Sequence, residues 1–373
     1  MCRPARRWLA PPAGARTRTD SKRSITGTRP RSAAPVAINL RAARRTEIGG
    51  VERVARELAS ALLELRPERY RPLWPPISLA HRAGHLWEQG LLPLVARSHE
   101  LLLSPANTAP ALAANNVVGM FDAASVRHPE WYGSAYARWQ AMLLPRLAAR
   151  ARLVVTASRF GRGELVEVLG ADPGRVAVVA LGVDSRFAPA ADPAPARRTY
   201  GLERPYVLAL GSMIARKNLG VLHEAARRLE QEGIELVVAG SGRGYMRPEE
   251  SPPGRPLGYV ADAHLPGLYA GARAAIVPSR YEGFGLPCLE AMACGTPVVA
   301  AKATALPETC GDAALLVDPD DAAGFADALV TVVGDVSLRE SLRHRGLERA
   351  AVFTWRRAAG LLDAELRKLL RAP

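Results

Sequence analysis

Glu282 and Glu290 are separated by seven residues in a stretch, 278–295, that also holds Gly283, Gly285 and Gly295. Proline suits the first turn of a helix, so Leu286-Pro287 predicts a helix start there. Glu282 then belongs to a glycine loop, and Glu290 lies about one turn into the helix that follows. Carboxylates so placed accept hydrogen bonds from sugar hydroxyls, while loop amides and the helix terminus face an anion. A second group, Arg216-Lys217-Asn218, follows the apolar run 206–211. Two cations at the carboxyl end of a strand, with Asn218 as a helix cap, form a compact diphosphate site that neutralises leaving-group charge without a metal. A third group, Gly49-Gly50, precedes a helix-spaced apolar series: Val51, Val54, Ala55, Leu58, Ala61 and Leu62. Glycines at that point let a phosphate or sugar reach bare backbone N–H groups. The pattern is neither G-x-G-x-x-G nor a P-loop, so it indicates neither dinucleotide nor Walker chemistry.

Such groups act only if a scaffold brings them together. The chain has 373 residues, enough for two domains sharing a cleft. From residue 34 onward, short β-rich apolar runs alternate with helical patterns, as in parallel sheets covered by helices. Runs at 36–40, 101–104, 116–122, 153–158 and 176–181 make one series. Runs at 206–211, 236–240, 274–278, 297–300 and 314–317 make a second. The fold class is therefore α/β, with two doubly wound Rossmann-like domains. Ligands of such sheets bind outside the carboxyl ends of the strands, here in the cleft between domains. The Pro/Ala stretch 187–196 reads as an extended linker. The expected division is a basic tail over 1–35, an N-terminal domain over 36–185, a linker over 186–200, a C-terminal domain over 201–354 and a final helix over 355–373. That last helix is drawn from the spacing of Ala358, Leu361, Leu362, Leu366 and Leu369.

Charge narrows the partners. Lys and Arg number 50 against 36 Asp and Glu, a surplus of +14. Residues 1–35 hold nine basic residues and one acid, so the tail accounts for most of the surplus and reads as an extension outside the fold. The modestly basic remainder argues against a specific nucleic-acid partner. Hydrophobic content of 48% with 23% charged residues describes a globular chain. No apolar run approaches the roughly 18 residues of a membrane span; the run Leu91 to Val95 is strand-sized. No secretory apolar block stands in the first 35 residues, and Cys2, Cys288, Cys294 and Cys310 have no zinc-finger or disulfide-framework spacing. The expected compartment is the cytoplasm.

Taken together, Arg216-Lys217-Asn218, the segment from Glu282 through Gly283, Phe284, Gly285 and Leu286 to Glu290, the run Gly295-Thr296-Pro297-Val298-Val299 and Leu306-Pro307-Glu308 resemble the family 4 retaining glycosyltransferases of the GT-B fold. The spacing of Glu282 and Glu290 looks like that family's E-x7-E motif. The resemblance runs from about residue 36 to the end and is strongest over 206–320. It implies transfer of a hexose, mannosyl or glucosyl, from a GDP- or UDP-linked donor to a sugar, lipid-linked sugar or small-molecule acceptor, with no cofactor beyond the donor. It also implies roles at single positions. Gly50 would contact the donor, and Ser212, Arg216 and Lys217 its diphosphate. Glu282 would bind donor-sugar hydroxyls, Gly283, Phe284, Gly285 and Leu286 would offer backbone contacts, and Glu290 would hold the ribose. Glu282, Arg216 and Lys217 are the expected catalytic groups, with Asp122 and His128 on the acceptor side. The final helix would cross back to the N-terminal domain.

Two positions depart from the family pattern. Many relatives have His before the residue matching Asp122, where this chain has Phe121, and many have Arg where it has Ser212. Asp318 and Asp320 have the D-x-D spacing of metal-dependent transferases, but they follow an apolar run and precede a helix, so they read as strand exit and helix cap with no metal. The segment Pro129 to Leu147 carries Tyr132, Tyr136, Trp139 and Leu143 at helical offsets. Core packing is the first reading of that series, and a peripheral contact with the inner face of a membrane the second. Rival functions are a nucleotide-sugar epimerase or hydrolase on the same fold, and a non-catalytic nucleotide-sugar- or nucleic-acid-binding protein.

Overall fold

The apolar runs build two separate sheets in the computed structural model, which describes residues 34–45, 49–76, 79, 84–211, 214–240 and 253–371. The tail over 1–33 and Ser212 lie outside the described residues. The first sheet comprises β1 (Val36–Asn39), β2 (Tyr70–Leu73), β3 (Leu101–Ser104), β4 (Asn116–Gly119), β5 (Leu153–Thr156) and β6 (Val176–Val178), in the order β2-β1-β3-β4-β5-β6. The second comprises β7 (Tyr206–Leu210), β8 (Glu235–Ala239), β9 (Arg255–Gly258), β10 (Ala274–Val277), β11 (Val298–Ala301) and β12 (Ala314–Val317), in the order β12-β11-β10-β7-β8-β9. Every ladder is parallel. Helices cover both faces, so the inner strands are buried throughout and read as continuous Val/Leu/Ala runs. The sheet order reverses beside β1 in the first domain and between β7 and β10 in the second, and crevices open at such switch points.

Two strands were not expected from the sequence, β2 and β9, and both lie at sheet edges. Each contains a proline, Pro72 and Pro256. Proline cannot donate to a ladder on both sides, which confines it to edges and weakens the strand pattern. Two further expectations change. The run Leu91 to Val95 is helical, part of a segment over 84–96 with a π turn at Trp87–Leu91. The presumed extended linker ends in a helix, Ala194–Tyr200, because Pro195 falls in its first turn, where no intrahelical N–H is needed.

Two chain crossings join the domains side by side. Val183 donates its N–H to the Phe353 carbonyl at 2.9 Å. Beside it, a Cβ on Gly182 would lie 2.2 Å from the Trp355 nitrogen, so only glycine admits this approach. The helix Trp355–Arg371 then packs its Ala358, Ala359, Leu362 and Leu366 face against the helix Gly50–Leu65 of the first domain. Asp363 fastens it. Its carboxylate accepts from Tyr70 at 2.6 Å and pairs with Arg69 at 2.5 Å and Arg367 at 3.2 Å.

Burial opposes ionisation of Asp363, but the Tyr70 and Arg69 hydrogen bonds outweigh it and hold the pKa below the usual carboxylate value. A depressed folded pKa contributes stability above the ordinary carboxylate pKa, and that stability is lost as pH falls through the folded value. Asp363→Asn is therefore expected to cost about 2 kcal/mol near neutral pH. Denaturant melts at pH 7 and pH 3 check this: the gap between wild type and variant should shrink in acid. Among the described residues, no helix is long and apolar enough to cross a membrane.

Candidate active site

The switch point between β7 and β10 assembles the first cluster. β7 ends at Leu210, and the chain returns through a tight turn, Ala215–Lys217. Gly211 leaves a slot for the Lys217 stem, since a Cβ there would lie 3.2 Å from it. Asn218 does not cap a helix as expected. It takes a left-handed conformation, φ 54°, and its amide donates to the carbonyls of Pro278 at 3.1 Å and Pro319 at 2.7 Å. Asn218 thereby ties the exits of β10 and β12 to the Lys217 turn.

From β10, Pro278 leads into the Glu282 loop. Lys217 Nζ lies 2.5 Å from Glu282 Oε1, and Ser279 Oγ donates to the same oxygen at 2.9 Å. The backbone N–H of Glu282 donates to Thr304 Oγ1 at 3.0 Å. Burial alone would raise the Glu282 pKa, but Lys217 and Arg216 overcome it and hold the carboxyl below the usual range. Glu282 is thus an ionised acceptor beside two cations. Arg216 is buried, which disfavours its charge; Glu282 and Asp122 reverse this and keep it protonated. Its Nη1 lies 3.4 Å from the Tyr281 carbonyl and 3.6 Å from Asp122 of the first domain.

The glycines have separate duties. Gly285, φ 103°, starts the helix Leu286–Ala293 in a conformation L side chains avoid. Gly283 lies under the opposite domain: a Cβ on it would sit 1.9 Å from the Phe121 carbonyl. Around this contact the domains are laced together. Ser158 Oγ donates to the Gly283 carbonyl at 2.7 Å, and the Tyr281 hydroxyl donates to Glu164 at 2.7 Å while accepting the Ala123 N–H at 3.2 Å. Glu308 accepts the Arg159 N–H at 3.0 Å, so a carboxylate of one domain caps the helix Arg159–Leu169 of the other.

Gly50 opens the helix Gly50–Leu65 on the facing wall. Glu52 is buried there, accepting the Gly49 N–H at 3.0 Å and pairing with Arg45 at 3.4 Å. Arg53 reaches across the cleft to Glu290 and to Asp262. Glu290 also accepts from the Tyr269 hydroxyl at 3.3 Å. Neither Arg53 nor Asp262 stood out in the sequence. The one available signal was a charged residue, three positions after Gly50, beside an apolar helix face.

Two cavities of about 310 Å³ result. The first is lined by Gly50, Arg53, Phe121, Arg216, Lys217, Glu282 to Leu286 and Glu290, so it gathers the described residues expected at a donor site. The second is lined by Arg41, Asn107, Thr108, Tyr132, Tyr136, Trp139 and Gln140. Val51, Glu52, Asp122 and Arg216 line both, so the two cavities meet there. Asp122 falls at that junction, but His128 lines neither cavity. The short helix Ala124–Arg127 carries the chain away, and His128 stacks on Trp131 at 4.0 Å and pairs with Glu130 at 3.0 Å.

The aromatic series over 129–147 turns inward. Tyr132 and Leu143 are buried, while Tyr136 and Trp139 stand in the cavity wall. Asp321 caps the helix Ala322–Gly334, Asp318 accepts the Asp320 N–H at 2.9 Å, and Asp320 pairs with Arg280. This is cap chemistry. Cys288, Cys294 and Cys310 are buried free thiols. A hydrogen bond to Cys310, together with burial, pushes the Cys288 pKa up, so it packs and does not react.

Two parallel six-stranded sheets with this cleft define the GT-B glycosyltransferase fold. Sucrose-phosphate synthase from Thermosynechococcus elongatus shares it over 91% of this chain and 100% of its own, with a TM-score of 0.70 at 20% identity. HepE from Anabaena, solved with UDP-glucose, shares it over 89% of this chain and 99% of its own, with a TM-score of 0.66 at 19% identity. Within the C-terminal domain, residues 204–335 match the family model described as "Glycosyl transferases group 1". Over 249 residues the chain is 35% identical to O-antigen chain mannosyltransferase B of Escherichia coli, a match covering 61% of this chain and 63% of that relative. The match therefore spans less than two thirds of the relative's length.

Proposed function

We propose that the chain is a retaining, metal-independent glycosyltransferase of family 4 type. It moves a hexose from a GDP- or UDP-linked donor to a sugar or lipid-linked sugar, acting in the cytoplasm. The observation that carries this reading is the meeting of two cavities at Asp122 and Arg216, one of them floored by the Lys217–Glu282 pair. The E. coli relative's name supports a mannosyl donor, and the UDP-glucose bound to HepE supports a nucleotide sugar in this fold.

The residues divide the work. Lys217 and Arg216 face the diphosphate, where negative charge grows as the bond to the anomeric carbon breaks. Glu282 accepts donor-sugar hydroxyls while held by Lys217 and Ser279. Glu290 takes the ribose hydroxyls in competition with Arg53. The acceptor hydroxyl enters from the second cavity and hydrogen-bonds to Asp122. It attacks the anomeric carbon on the face the diphosphate leaves, and its proton passes to the departing phosphate oxygen. No carboxylate is needed as a nucleophile, unlike in a retaining glycosidase. Phe121 provides no acid or base, and in this reading the acceptor proton leaves with the departing phosphate.

Incubation with GDP- and UDP-hexoses and a panel of sugar acceptors tests the reading, with linkage determined by NMR. The expected product is α-linked from an α-linked donor, and activity is expected to survive a chelator. An inverted product contradicts retention, and chelator loss reversed by manganese contradicts metal independence. Free hexose released without any acceptor identifies a hydrolase.

A further inference from the structure

Two helical segments lie side by side in the first domain, and both reach the second cavity, one through His85 and the other through Tyr136 and Trp139. In the helical segment 84–96, Trp87, Leu92 and Ala96 pack inward on Ala37 and Leu102. Its outer face is also apolar: Leu86 is 68% exposed, Leu94 60%, Val95 48% and Leu91 44%. A helix with one buried face ordinarily turns polar groups outward. Leu112, exposed in the loop after β3, lies beside this segment, because Gln89 donates to the Ala109 carbonyl and accepts the Ala111 N–H.

The helix Ser134–Arg150 adjoins it, with the His85 and Trp139 rings 4.7 Å apart. That helix has no Asp or Glu and exposes Arg138, Met142, Arg146 and Arg150 at four-residue steps, which align along one face. Arg97 is exposed at the end of the 84–96 segment. The one carboxylate in that segment, Glu88, is buried against Arg41.

We propose that this apolar and basic face docks on an anionic lipid bilayer and presents a lipid-linked sugar to the second cavity. The acceptor part of this inference rests on the transferase reading; the docking part stands without it. Exposed leucines are ordinary one at a time, but several together beside a cationic row match a surface-lying membrane contact. The row from Arg138 to Arg150 extends about 18 Å at 1.5 Å per residue, which suits a charged sheet. A second copy is disfavoured, because a twofold contact would set arginine against arginine. His85, Tyr136 and Trp139 both line the cavity and adjoin this face, so a glycan head in the cavity would leave its lipid at the rim.

Vesicle flotation of the full chain tests the proposal, with phosphatidylcholine alone and with about 30% phosphatidylglycerol added. Wild type is expected to float with the anionic vesicles and to be released by salt. Leu91→Glu with Leu94→Glu is expected to lower the bound fraction at least about tenfold, with unchanged circular dichroism and melting. Arg146→Glu with Arg150→Glu is expected to weaken binding to anionic vesicles. Wild-type-like binding by the leucine variant overturns the proposal, since the basic N-terminal tail would then carry the binding. So does an absence of vesicle binding, or a dimer by light scattering that Leu94→Glu dissolves. Transfer to a soluble acceptor sugar is measured on the same variants and is expected to persist. Its failure in wild type contradicts the transferase reading without touching the docking result.

Discussion

Lys217→Ala is expected to lower turnover at saturating donor by about 10²- to 10³-fold, the range seen when one preorganised charge-stabilising group is removed. The ammonium lies beside Glu282 in a buried pocket, where a charge acts more strongly than in water. Its removal withdraws stabilisation from the leaving diphosphate and leaves Glu282 without its closest cation. The second effect is separable. Glu282→Gln with Lys217→Ala restores neutrality at the pair, and this double variant should regain stability but not turnover. Steady-state kinetics with melting curves decide the point. Unchanged turnover in the single variant would remove Lys217 from the mechanism.

Gly283→Ala is expected to cost about 10²-fold in turnover by a different route, misplacement of the reacting groups. The added Cβ would sit 1.9 Å from the Phe121 carbonyl, and backbone cannot yield as a flexible side chain can. The domains must therefore separate locally, taking Asp122 away from Arg216 and Ser158 away from the Gly283 carbonyl. Small-angle scattering should show a more open molecule, while each domain melts with little change. Nucleotide binding to the C-terminal domain should survive better than turnover. A variant with wild-type kinetics would mean that this closed contact is not the working state.

The sequence was most legible where burial is complete. Inner strands covered on both faces, such as β3, β5 and β10, leave apolar runs that periodicity detects. Edge strands with proline leave none, which hid β2 and β9. The five-residue run Leu91 to Val95 has the same apolar content in a helix as in a strand, and only its surroundings decide. In the site, Lys217, Glu282 and Gly283 were legible because residue type and spacing carry their chemistry. Arg53 was not, and Glu308 stood in the Leu306-Pro307-Glu308 motif without its role showing, since each acts across the cleft on a partner more than 140 positions away. His128 looked like an acceptor-side group from its position in the chain, but its ring is spent on Trp131 and Glu130.

The central claim is that the cleft beside Lys217 and Glu282 holds a nucleotide sugar. Calorimetric titration of GDP-mannose and UDP-glucose into the wild-type chain, Lys217→Ala and Glu282→Gln tests it most directly. The account predicts saturable binding of one of these donors to wild type and at least about tenfold weaker binding to Lys217→Ala, in keeping with the loss of a charge-assisted contact. Binding of neither donor to wild type, or equal binding to all three proteins, would contradict it.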